Sequence, residues 1–230
     1  MIAKIISRLK DGDSTYNIAS TYSSGEWFVI LYERGFQILR GFIAKIFLLK
    51  TKGLCFKGRN VIIKHRSLFS SGRNLILDGN VFINALSENG ISFGNNVTIS
   101  RNCTLICTGV ISHKGGVGIT IGNNTGINSY CYLGGQGGIE IGDNVIIGPQ
   151  VKIFSENHDF SDASIIIKNQ GVTRLGVKIE SDCWIGSGAT ILDGVILKKR
   201  TIVAAGSVVT KNFEENSLIG GVPAKLIKKI

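Results

Sequence analysis

The sequence predicts a mainly β chain wound as a parallel solenoid of triangular section. Three observations predict it: aliphatic residues recur every six positions, a slender side chain follows four places after each, and Gly-Asn corners lie between them. The clearest run is Ile179, Ile185, Ile191, Leu197, Val203 and Val209, and shorter runs are Ile141, Ile147, Ile153; Ile121, Ile127, Leu133; and Phe93, Ile99, Leu105. The slender positions are Cys183, Ala189, Val195, Thr201 and Ser207, then Val145 and Val151, Thr125 and Cys131, and Val97 and Cys103. A helix repeats at about 3.6 residues and an alternating strand at 2, so neither yields a strict six. Two inward positions per six residues mean a short strand, a corner and another short strand. Three such units close one coil, and coils stack at the strand spacing of about 4.8 Å. An ordinary Gly-rich sandwich would not hold this phase.

The corners need residues that tolerate left-handed backbone angles. Gly94-Asn95-Asn96, Gly122-Asn123-Asn124 and Gly142-Asp143-Asn144 supply them, with weaker forms at Gly58-Arg59-Asn60, Gly72-Arg73-Asn74 and Asp78-Gly79-Asn80. Three places break the period. A loop or irregular coil is expected between Leu105 and Ile121, Gly-rich extra residues lie between Leu133 and Ile141, and a long loop is extruded between Ile153 and Ile179. Insertions in a solenoid usually mark its binding face.

Residues 1–55 differ in kind. Residues 26–50 predict an amphipathic helix, with Phe28, Leu31, Phe36, Leu39, Phe42, Ile43 and Ile46 near one face. Two readings stay open: a helix lying in a membrane interface, or a helix packed over the open end of the solenoid. The solenoid is expected over 56–225, with its extruded loop at about 154–178, followed by a short basic tail at 226–230.

Composition narrows the function classes. The 230 residues include 30 Gly and 2 Pro, 43% are hydrophobic and 18% charged, which excludes a disordered or collagen-like chain. The most apolar stretch, Trp27 to Leu49, is cut by Glu33, Arg34, Arg40 and Lys45, so no membrane-spanning helix is expected. No signal peptide is expected either, which makes a cytoplasmic location the default. The five cysteines are odd in number and include no C-x-x-C pair, so neither disulfides nor a zinc site is expected. Cys103, Cys131 and Cys183 fall at the slender inward position and read as core filler. The net charge of +10 is concentrated at the start: residues 1–66 hold 12 Lys and Arg against 4 Asp and Glu. No nucleic-acid-binding motif accompanies it, so no nucleic acid is expected. An anionic membrane or phosphorylated ligands suit the charge as well.

The chain has three histidines, the side chain that titrates near neutrality without help. His158 lies in the extruded loop between Glu156 and Asp159. On the residues alone it is either a solvated loop side chain or a base, and either carboxylate could orient it. His65 falls in an early basic coil and reads as structural. His113 lies in the irregular segment after Leu105 and could line a site.

Several segments together resemble the hexapeptide-repeat acyltransferases over roughly residues 56–225. They are "AAGSVVTKNFEENSLIGGVPAKLIKK", "DCWIGSGATILDGV", the loop "FSENHDFSD", and "QGVTRLGVKIESDCWIG", which looks like the branch acting on surface polysaccharides. The resemblance implies a left-handed parallel β-helix, where crossover rules alone would give the opposite hand. It implies transfer of an acetyl group from acetyl-CoA to a sugar hydroxyl of a bacterial surface-glycan precursor, with His158 as general base. Asn128, in "GNNTGINSYCYL", matches the family's substrate-contacting Asn, although Asn84 in "NVFINA" has the same local pattern. The coenzyme groove would be lined by Trp184, Ser187, Gly188, Ala205, Gly206, Thr210 and Lys211, with Lys225 and Lys228 for its phosphates. A homotrimer and a lipid-linked or nucleotide-linked sugar acceptor are also implied, with no metal. N-acetylation of a nucleotide-linked amino sugar stays open. A non-enzymatic solenoid would show regular Thr ladders and no extruded loop, and neither is apparent. The three histidines stand 48 and 45 residues apart, too far for the paired zinc ligands of solenoid carbonic anhydrases.

Overall fold

The computed structural model describes residues 22–109 and 115–230. From Cys55 onward the chain is a parallel β-helix with three faces. The first face stacks Cys55–Lys57, Leu75–Leu77, Thr98–Ile99, Gly126–Ile127, Ile146–Ile147, Trp184–Ile185, Ile202–Val203, Ser217–Gly221 and Ala224–Lys229. The second runs from Ile62–Lys64 to Val208–Val209 in seven strands, and the third from Phe69–Ser71 to Ile196–Leu197 in six. Every pairing between coils up to Ser217–Gly221 is parallel and in register, as in Ile146 beside Trp184 and Trp184 beside Ile202.

Inward columns build the core. On the first face Leu77, Ile99, Ile127, Ile147, Ile185, Val203 and Ile219 stack, all buried. The slender column beside it runs Val97, Thr125, Val145, Cys183, Thr201 and Ser217, also buried. These slots sit under corner carbonyls, so a small donor fits them. The Thr201 hydroxyl donates to Lys198 O at 2.7 Å, Thr125 to Gly142 O at 2.9 Å, and the Cys103 thiol to Asn128 O at 2.9 Å. These two hydroxyls and the thiol are thereby satisfied.

The corners divide two tasks between their residues. At the edge joining the third face to the first, Asn96, Asn124 and Asn144 take the left-handed backbone, with φ of 56°, 53° and 57°. The glycine two places earlier answers a different need. A Cβ on Gly122 would stand 2.6 Å from the Gly142 carbonyl carbon in the next coil. The asparagines also form a ladder: Asn74, Asn96 and Asn124 each donate from Nδ2 to the Oδ1 of the residue above, at 2.9, 2.8 and 3.3 Å.

The helix, α1, spans Ser24–Lys45, opening earlier and closing five residues sooner than the apolar pattern predicts. Ser23 and Glu26 form a capping box that sets its start. Its C-terminal half lies on the first coil. Gly41 is buried against Cys55, Leu48 is buried in the core, and Arg40 Nε donates to Lys57 O at 2.9 Å. Its large apolar side chains nonetheless stay exposed, Phe28 at 68% and Phe42 at 59%. The helix therefore covers part of the solenoid's open end while leaving an apolar face without a partner among the described residues. The terminal basic segment is itself a strand: Ala224–Lys229 turns back antiparallel on Ser217–Gly221.

Candidate active site

All the breaks in the period fall on one edge, the one joining the second face to the third. There, among the described residues, the chain places 85–90, 107–109 and 115–118, 135–138 and 155–176 before resuming its coil. His113 lies outside the described residues. Here too stand Thr210 and Lys211, after the last strand of the second face, with Lys211 Nζ 5.8 Å from the centre of the Phe213 ring.

The longest insertion is anchored at both roots. On leaving the coil, Ser155 is buried, donates its hydroxyl to Gly134 O at 2.6 Å and accepts from Gly137 N–H at 2.9 Å. On its return, the Asp193 carboxylate accepts the N–H groups of Leu175 and Gly176 at 3.0 and 2.8 Å. Between the roots the chain folds into a short antiparallel ribbon, with Asn157 opposite Thr173 and His158 opposite Val172. The tip is held by Gln170, whose Nε2 donates to Asp162 O and Ile165 O, both at 2.8 Å.

His158 is exposed on this ribbon. Neither flanking carboxylate bonds to it among the described residues. Glu156 pairs with Arg174 at 2.6 Å, and Asp159 accepts the Thr173 hydroxyl at 2.5 Å. Both carboxylates therefore shape the ribbon rather than orient the imidazole. The residues that hold the loop are Ser155, Gln170, Arg174 and Asp193, none of which the sequence reading singled out. All four nonetheless stand inside segments that drew attention: Ser155 in "FSENHDFSD", Gln170 and Arg174 in "QGVTRLGVKIESDCWIG", and Asp193 in "DCWIGSGATILDGV".

The other predicted residues gather on a second edge, joining the first face to the second. Asn128 is exposed at its corner, with its N–H donating to Ile147 O at 2.9 Å. Two coils higher come Ser187 and Gly188, and one coil above them Ala205 and Gly206, joined by Gly206 N–H to Ser187 O at 2.9 Å. Gly188 and Gly206 have φ of +70° and +71° in open space, so the backbone lies bare where lower coils carry Tyr130 and Gln150. Lys225 lies opposite Gly220, directly above this edge. Trp184 projects from the first face, 52% exposed. Lys228, opposite Leu218, is three strand spacings from it, about 14 Å. Asn84 lies at the far end of the second face, so its likeness to Asn128 is local only.

Within one chain, then, Asn128 and the bare corners occupy one edge and the His158 loop leaves the next, with the second face between them. Among the described residues no group of three or more His, Cys, Asp or Glu is arranged to hold a metal ion.

Residues 176–211 match the family described as bacterial transferase hexapeptide (six repeats). WbbJ of Escherichia coli K12, a candidate O-acetyl transferase of lipopolysaccharide biosynthesis, is 31% identical over 150 residues, which is 62% of this chain and 74% of WbbJ. The galactoside O-acetyltransferase of the same organism is 32% identical over 115 residues, 50% of this chain and 56% of that enzyme. The chain spans about half the length of most of the curated relatives it matches. Among solved structures, a point mutant of AntD, an N-acyltransferase from Bacillus cereus in complex with dTDP and coenzyme A, shares the fold. Its TM-score is 0.56 at 24% identity, covering 75% of this chain and 85% of AntD. The coil, the repeats and these relatives agree: the chain belongs to the left-handed β-helical, hexapeptide-repeat acyltransferases.

Proposed function

We propose that this chain transfers an acetyl group from acetyl-CoA to a hydroxyl of a sugar in a bacterial surface-glycan precursor. The observation that carries the reading is the doubly anchored ribbon that holds an exposed imidazole away from the coil, in a chain whose relatives include named O-acetyltransferases. The bare corners at Ser187–Gly188 and Ala205–Gly206 suit the amides of a pantetheine arm, and Lys225 above them suits a phosphate. Trp184 and Lys228 line the same side of the proposed groove, and Thr210 and Lys211, on the edge of the His158 loop, meet it across the seam between protomers.

In the reaction, His158 removes the proton from the acceptor hydroxyl as its oxygen attacks the thioester carbonyl carbon. The carbon becomes tetrahedral, its oxygen takes the negative charge, and nearby N–H donors stabilise that charge. The carbon–sulfur bond then breaks, the carbonyl re-forms, and the imidazolium returns its proton to the leaving thiolate. Asn128 holds the acceptor sugar beside this centre.

Asn128 and His158 stand on different edges, so we assign the complete site to the seam between neighbouring protomers of a homotrimer. The loop tip supports this. Phe160 and Ile166 are exposed at 74% and 72%, with Leu175 at the loop's return exposed at 72%, an apolar surface that a neighbouring subunit would cover. We place the enzyme in the cytoplasm, peripheral to the inner face of the membrane, with the exposed side of α1 and its basic surroundings toward anionic lipid. No helix among the described residues is long and apolar enough to cross a membrane.

The test is acetyl-CoA consumption across hydroxyl and amino sugars carried on nucleotide or lipid, with products sequenced by mass spectrometry. An alkali-labile acetyl ester supports the reading. Exclusive formation of an acetamide would replace it with N-acetylation.

A further inference from the structure

We propose that the groove between α1 and the lower coils is a binding site for the diphosphate of the acceptor, with Arg59 and Arg101 as its anion-binding pair. The proposal rests on the acyl-transfer reading above and adds where the acceptor is held.

The groove has a volume of about 840 Å³ and brings four arginines to one place: Arg34, Arg40, Arg59 and Arg101. Two are already engaged. Arg34 and Gln37 converge on Asp78 at 3.5 and 3.4 Å, which seats the helix, and Arg40 holds the Lys57 carbonyl. Arg59 and Arg101 are exposed, and their guanidiniums have no partner among the described residues. An arginine fork left open in a groove suits phosphate oxygens, which it can meet in pairs.

The spacing suits a diphosphate. Arg59, Gly79 and Arg101 are the tips of three successive coils on the edge that carries Asn128. The Asn80 N–H donates to Arg59 O at 2.9 Å and the Asn102 N–H to Gly79 O at 3.1 Å. Two coil rises separate the arginines, about 10 Å. Gly79 puts no side chain between them, and a Cβ there would meet only Arg59 O at 3.5 Å. Two extended guanidiniums can close that gap around a pair of phosphates.

The opposite wall is aromatic. Phe28, Tyr32 and Phe36 form a row along α1, with ring centres 6.1 and 4.7 Å apart. Such a wall takes an apolar or aromatic group attached to the diphosphate, whether a prenyl chain or a nucleobase. The site also points the right way. Tyr130 N–H donates to Arg101 O at 3.1 Å, so the coil carrying Asn128 is the next above Arg101. A sugar on a diphosphate held here reaches up the edge to Asn128, while the proposed coenzyme corners approach from the other end.

The experiment is calorimetric titration of the full chain, saturated with coenzyme A, using geranyl diphosphate and uridine diphosphate as probes. At least one should bind, and Arg59→Gln/Arg101→Gln should weaken it tenfold or more while coenzyme A affinity stays within twofold. Preference for the prenyl probe points to a lipid-linked acceptor, and preference for the nucleotide to a nucleotide-linked one. Gly79→Leu, which keeps both charges and fills the gap, should weaken the same probe at least fivefold. Double-variant affinity within twofold of wild type, or no binding of either probe at millimolar concentration, would overturn the site. Acyl transfer is scored on the same samples. Diphosphate binding without any transfer would contradict the proposed reaction and leave the anion site standing.

Discussion

Arg174 meets the Glu156 carboxylate at 2.6 Å and donates from Nη1 to Gly115 O at 3.0 Å. One side chain thus ties together both strands of the His158 ribbon and the insertion two coils below. Its side chain is only 12% exposed, so the pair is partly shielded from water. Arg174→Ala is expected to lower turnover tenfold or more with little change in melting temperature, because the loop loosens while the coils remain. Hydrogen exchange of residues 157–173 should accelerate. Unchanged exchange would show that other contacts hold the ribbon.

Asp193 anchors the loop's return, and its role is separable from that of Arg174. Asp193→Ala leaves the Leu175 and Gly176 N–H groups without their acceptor in a nearly buried place. Losing hydrogen bonds to a charged acceptor should cost about 3 kcal/mol. Urea unfolding should show it as a lower midpoint, and a loss below 1 kcal/mol would count against the anchor.

Gly41 decides whether α1 can lie on the solenoid. A Cβ there would overlap the Cys55 carbonyl oxygen, a backbone atom that has no room to give. Gly41→Ala should lift the helix while leaving the coil folded. Limited proteolysis would then cut between Ser24 and Lys52 faster than in wild type, with the β-sheet circular dichroism signal retained.

Burial pushes three thiols up from the ordinary value of 9.0: Cys55 to about 11, Cys183 to about 11 and Cys107 to about 12. Each holds its proton more tightly folded than unfolded. Their stabilising contribution is whole below pH 9 and is lost as pH climbs through 11 to 12. The urea midpoint should therefore fall only above pH 9, as far as these groups govern it. Iodoacetamide at pH 8 should leave all three unmodified in the native protein and alkylate them once urea unfolds it, as read by mass spectrometry.

The coil was legible because its core is a column of repeats: Ile179 to Val209 names an inward position every six residues without help from distant contacts. The cysteines at slender positions were legible for the same reason. The division of labour at the corners was not, since Gly122 is required by the next coil's backbone and not by its own φ, which only the stacking reveals. The shared edge of the insertions also escaped the sequence. The breaks after Leu105, Leu133 and Ile153 fall at unequal intervals, and they coincide only once each coil has closed. The loop's anchors were hidden because Asp193 and Ser155 are ordinary corner residues until the loop folds onto them. The helix start at Ser23 was available, in the spacing of Ser23 and Glu26, and the apolar pattern alone passed over it.

The central claim is that the imidazole on the anchored ribbon takes the proton from a sugar hydroxyl. It is tested most directly by comparing wild type with His158→Ala for thioester consumption on one accepted sugar, with acetyl-CoA affinity measured alongside. Removing the base is expected to lower turnover at least a hundredfold while coenzyme affinity stays within threefold of wild type. Turnover within threefold of wild type would contradict it.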